Sequence, residues 1–174
     1  MRCSRTLLHA AVLCGAGSAA LAGGAQGTAR AAIDLFAQNC FSPLMTAEKA
    51  ERIFALSGVS HDFYDLDPFS SAEPSPATGR AVTPGTDRRC EVSFAGDHTE
   101  DAAQAVIDAL AAEGITDPAP LPATYTKSAD TELLAARRLN PRRTAIVHVG
   151  TRPGAVGPET FLLVERLTPS DSSN

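Results

Sequence analysis

From Cys90 to Ala95 apolar and polar residues alternate, with Cys90, Val92 and Phe94 on one side and Glu91 and Ser93 on the other. A period of two predicts a half-buried strand. Gly96-Asp97 breaks it, and the period then becomes helical: Ala103, Val106, Ile107 and Leu110 recur at i, i+3, i+4 and i+7. Asp97 suits the helix start, where its carboxylate accepts an orphan amide, and Glu100 three residues on meets the positive end of the dipole. Gly114 supplies a left-handed cap. Strand, tight turn and amphipathic helix form the clearest pattern in the chain.

Upstream, Ile33, Leu35, Phe36 and Ala37 predict a short helix over 29–39 that delivers Cys40. A second helix starts at Thr46, an acceptable N-cap with Glu48 in the first turn. Its inner face would be Ala50, Ile53, Phe54 and Ser57, and Gly58 would end it. Downstream, residues 128–139 contain good helix formers after a possible cap at Ser128, yet Asn140-Pro141-Arg142 has the character of a tight hairpin turn. We take the later half of that stretch as a strand. Thr144–Val149 and Phe161–Leu167 predict two more strands, joined by a Gly/Pro-rich hairpin loop over 150–158.

Two stretches have no sustained period. One is 61–87, with Pro68, Pro74, Pro76 and Pro84; the other holds Pro118, Pro120 and Pro122. The expected fold is therefore α+β, in the order α-α-β-α-(β)-β-β. Three or four mostly antiparallel strands would be covered by helices on one face. A single domain would span 23–167, with a long Pro/Ser-rich loop at 61–87 and a disordered polar tail at 168–174.

The N-terminus changes the picture most. Arg2 and Arg5 precede an uncharged, alanine-rich run from Leu7 to Ala22, and Ala20-Leu21-Ala22 is a small-x-small cleavage pattern, with further sites ending at Ala25 and Ala31. His9, Gly15, Gly17 and Ser18 interrupt the run, so it is poorly suited to spanning a bilayer. Residues 1–22 are expected to be a cleaved signal peptide and the mature protein to be periplasmic or secreted, with no stable membrane span.

Cleavage also removes Cys3 and Cys14 and leaves Cys40 and Cys90, which an oxidising compartment would join. Closing a loop of roughly 50 residues is worth about 4 kcal/mol in the chain-entropy view. The net charge of −5 falls by two, to about −7, as Arg2 and Arg5 leave. An acidic chain with seven phenylalanines, two tyrosines and no tryptophan has little with which to hold nucleic acid.

Candidate chemistry is sparse. His61 with Asp62, Asp65 and Asp67 makes a loose acidic cluster that could face one cation, but its spacing matches no EF-hand loop. The same group would serve a small exported hydrolase or metal-dependent enzyme. Ser57, Ser60, His61 and Asp62 hold the letters of a triad but are too close in sequence to converge as one. No Gly-x-Ser-x-Gly, His-Glu-x-x-His or phosphate loop is present, and no cofactor is implied. His98 falls at the start of the main helix, and His148 is expected to be a partly covered surface residue.

Arginine is the remaining asymmetry. Arg137, Arg138, Arg142, Arg143 and Arg152 lie within sixteen positions of an otherwise acidic chain. A hairpin turn at Asn140-Pro141 would gather them at one end of the sheet, where Arg88 and Arg89 could join. Guanidinium groups there suit carboxylate or phosphate; alternatively they are charges that keep a sheet edge from aggregating. The functional expectation is a non-catalytic binding or accessory module of the cell envelope, meeting an envelope protein or an anionic ligand.

Overall fold

A computed structural model describes residues 19–56, 58–69, 72–77, 83–122, 125, 127 and 130–168. Most of the expected leader, the last six residues, Ser57 and Ser128 lie outside that set. The elements run α1 (Ala19–Asn39), α2 (Ala47–Ile53), β1 (Val59–Asp65), β2 (Thr86–Ala95), α3 (Thr99–Ala112), β3 (Thr131–Asn140), β4 (Arg143–Gly154) and β5 (Gly157–Leu167). The strands form one sheet in the order β1-β2-β5-β4-β3, antiparallel throughout.

The α+β class and the helix-covered sheet are as expected, but there are five strands rather than three or four. The added strand is β1, in the stretch expected to be loop. Its pattern, Ser60-His61-Asp62-Phe63-Tyr64-Asp65, masks a strand because both faces carry polar groups and the prolines begin only at Pro68. From Thr131 onward the ambiguous stretch is strand β3, entered through a turn at Asp130. The hairpin loop expected at 150–158 is mostly strand: β4 and β5 pair out to Gly154 and Gly157, leaving Ala155 and Val156 as the turn.

One side of the sheet packs under the helices. Ala29, Ala32, Ile33 and Phe36 recur on one face of α1 and are buried, as is Cys40 just beyond it. They meet Ala50 and Phe54 at α2, Val106 and Leu110 of α3, and Phe63, Cys90, Val92, Val147, Leu162 and Val164 from the sheet. In α3 the buried stripe is Thr99, Ala102, Val106 and Leu110. The face is rotated from the expected one: Ile107 is 48% exposed, because the helix lies with Ala102 rather than Ile107 against the sheet.

The other side of the sheet is buried too, which the alternating pattern at Cys90 did not suggest. Glu91 and Ser93 are covered, and Tyr64, Ile146, His148 and Glu165 are at most 1% exposed. Tyr125 sits over His148 at 5.0 Å between ring centroids, and Ala119 and Tyr125 pack with Ala136, Ile146 and Leu167. The apolar runs Ala145–Val147 and Phe161–Val164 are what strands covered on both faces require. Close approach at the edge of this face also fixes Gly150, where a Cβ would stand 2.1 Å from the Asp130 carbonyl oxygen.

Candidate functional site

Cys40 follows directly on α1 and Cys90 lies at the middle of β2; they form a disulfide, with Cα atoms 5.7 Å apart. The bridge pins the end of α1 to the sheet. Beside it, the sheet ends in a group of alternating charges. Arg88 is 6% exposed, stacks over the Phe63 ring at 5.3 Å, and donates from Nη2 to the carbonyls of Ser42 and Met45 at 2.8 and 3.4 Å. It therefore ties the α1–α2 connection to β2. Burial lowers its guanidinium pKa to about 10, against the pull of Asp65, so it stays charged at neutral pH.

Arg166, from β5, donates Nε to Asp87 at 2.5 Å and Nη2 to Asp65 at 2.9 Å and to the Asp67 carbonyl at 2.7 Å. Arg143, from β4, donates Nε to Asp87 at 3.0 Å and Nη2 to the Asp67 carboxylate. Burial works against charge on Arg143, but its bonds to Asp87 and Asp67 prevail and raise its pKa. Three arginines and three aspartates thus lock the ends of β1, β2, β4 and β5 together.

Above this group lies a cleft of about 590 Å³. Phe41, Pro43, Pro68, Phe69, Ile115 and Leu139 give it apolar walls, and its charged lining is Arg88, Arg143 and Arg166 with Asp67 and Glu113. A narrower space of about 40 Å³ that shares Phe41, Ile115 and Leu139 is also lined by Cys40 and Cys90. Phe69 is 76% exposed. The combination is suited to an apolar side chain seated beside a polar or charged group.

Of the arginines singled out in the sequence, Arg137, Arg138, Arg142 and Arg143 come together around the β3–β4 turn. Arg138 and Arg142 are exposed, and Arg137 donates to the Ala136 carbonyl at 3.1 Å. Arg152 does not join them. It lies at the opposite end of β4, over the Phe161 ring, with Nε 2.6 Å from Glu159 and Nη1 2.7 Å from Glu91. Arg88 faces the cleft, whereas Arg89 points through the other face. Arg166 was missed; the only sign of it was a charged pair, Glu165-Arg166, closing an apolar strand.

Strand alternation also separates the acidic cluster. His61 faces α2, with its ring 5.7 Å from that of Phe54 and Nε2 3.6 Å from Glu51. Asp62 is on the opposite face, 3.4 Å from Arg89, while Asp65 and Asp67 belong to the arginine group. Among the described residues no three of His, Cys, Asp and Glu are placed to hold a metal ion. His98 is the N-cap of α3 without a side-chain cap bond; Asp97 instead accepts from the Thr99 amide.

The second face holds a buried polar layer that the sequence reading did not find. Arg89 donates to Glu91 and, at 3.0 Å, to Glu165; Thr83 donates its hydroxyl to both Glu165 oxygens at 3.1 Å. Burial works against charge on Arg89, but the two glutamates outweigh it and raise its pKa. Burial, with Glu165 nearby, pushes Tyr64 up to about 12. His148 is 1% exposed, not the partly covered surface residue expected. Burial first, and Arg89 second, lower its pKa to about 4.

No helix among the described residues is long and apolar enough to cross a membrane. The chain matches no protein-family model, no curated protein and no solved structure.

Proposed function

We propose that the mature chain is a non-catalytic binding or accessory module of the cell envelope, periplasmic or secreted. Its contact surface is the cleft at the β3–β4 end of the sheet. One observation carries this reading: exposed apolar groups, Phe69 above all, border a rigid floor of paired charges. Large apolar side chains left open beside polar ones mark interaction sites more often than scattered surface residues do. The Cys40–Cys90 bridge is in keeping with an oxidising compartment.

The floor also bears on the ligand. Arg88, Arg143 and Arg166 are already met by Asp65, Asp67 and Asp87, so a free anion would compete with internal carboxylates. An envelope protein that inserts an apolar side chain, with an acidic group reaching Arg142, exposed on the β3–β4 turn, suits the cleft better than a small anion does. The hydrolase alternative would need His61 to converge with Asp62 across the strand that divides them, or with Asp65 or Asp67, which the arginines already engage.

The test is site-specific photocrosslinking in the envelope of the native host. A crosslinking residue at Phe69 or Leu139 should capture one discrete partner, and the same residue at Val156, 90% exposed on the β4–β5 turn, should not. Equal capture at both ends of the sheet, or capture at neither, would defeat the cleft as the contact surface. Intact mass of the exported protein tests the address separately: loss of residues 1–22, and two thiols alkylated only after reduction, are expected.

A further inference from the structure

His148 is buried on the second face of the sheet, and neither ring nitrogen has a hydrogen-bond partner among the described residues. Leu134 and Leu163 flank it directly across β3 and β5. Tyr125 stacks over it, held between two anchors: the Ala119 amide bonded to the Ala136 carbonyl, and the Asp130 carbonyl bonded to the Thr151 amide. The charged groups on this side are Asp62 of β1, Arg89 and Glu91 of β2, Arg152 of β4, and Glu159 and Glu165 of β5. Glu91 and Glu165 are both already engaged by Arg89, and Glu91 by Arg152 as well. A proton on His148 would thus place an unpaired cation in an enclosed layer that already contains a guanidinium.

We propose that His148 is an acid-sensitive switch, whose protonation releases Tyr125 and opens the second face of the sheet while the helix-covered face stays packed. A histidine with a pKa of about 4 when buried and 6.5 when exposed binds its proton more tightly in the open form. The closed form is therefore fully favoured above pH 6.5 and loses ground as pH falls toward 4. Opening gains up to about 300-fold by pH 3 on that difference. The device differs from general acid unfolding because it leaves α3 and its contacts in place.

The chain offers a clean optical probe: it has no tryptophan, and its two tyrosines, Tyr64 and Tyr125, both belong to this face. Tyrosine fluorescence and the His148 ring-proton resonance should change together between pH 6.5 and 3, and the Tyr125 and Ala119 amides should begin to exchange. Val106 amide protection should persist over the same range. His148→Phe, which keeps a ring beneath Tyr125 but takes no proton, should abolish the fluorescence step. If that variant does not fold, the wild-type resonance still decides: titration at or above 6.5 overturns the proposal. So does a tyrosine step with an unchanged midpoint in His148→Phe, no step down to pH 3, or loss of Val106 protection at the same pH.

Discussion

Arg89 shows how much rests on single side chains in this protein. It neutralises Glu91 and Glu165, which are 7% and 1% exposed, and stands 3.4 Å from Asp62. Arg89→Met would leave buried Glu165 without a cation and Glu91 with Arg152 alone, and should cost about 3–5 kcal/mol, measured by denaturant unfolding. Arg142→Ala, at an exposed position of the β3–β4 turn, should change stability by no more than about 0.5 kcal/mol. A comparable loss in both would mean that the buried pairing is not what holds the second face. Gly150→Ala should also destabilise, by about 1–3 kcal/mol, since its Cβ would meet backbone rather than a movable side chain. None of these roles was visible in the sequence. Burial of Glu91 and His148 depends on chain far away in sequence, and a glutamate alternating with valine reads as a solvent-facing residue until something covers it.

Elements were more legible than residues, because periodicity reports the face that a helix or strand presents. The strand at Cys90, the helix after Asp97, the Thr46 cap, whose hydroxyl accepts from the Lys49 amide, and the β3–β4 turn all appear where the pattern put them. The inner face of α3 was displaced by part of a turn: apolar spacing alone does not distinguish Ala102 from Ile107 as the inward residue. Accordingly Val106→Asp, at a fully buried site, should unfold the domain, whereas Ile107→Asp should leave its melting temperature nearly unchanged. A folded Val106→Asp protein would show that α3 is not packed as described. Strand β1 was missed because an edge strand rich in polar residues lacks alternation, and its partner β2 is more than twenty positions away.

At the scale of the molecule, the Cys40–Cys90 bridge fastens the helical half to the sheet. Cys90→Ala should lower the melting temperature under oxidising conditions, by up to about 4 kcal/mol of stability, and make it indifferent to reductant. Equal stability of mutant and wild type would show that the bridge does not form. The packing also sets how far α1 can be trimmed. Among its described side chains Gln26 is exposed and Ala29 buried, so a chain starting after Ala31 should melt lower than one starting after Ala25, for lack of Ala29. Pairing order has a consequence of another kind. β2 lies between β1, made just before it, and β5, made last of these five strands. A chain emerging N-terminus first can close its disulfide while one edge of β2 is still bare. Until the final hairpin arrives, that edge is open to any strand that passes, its own twin included. The interval between oxidation and completion is thus when this protein is most in need of a chaperone.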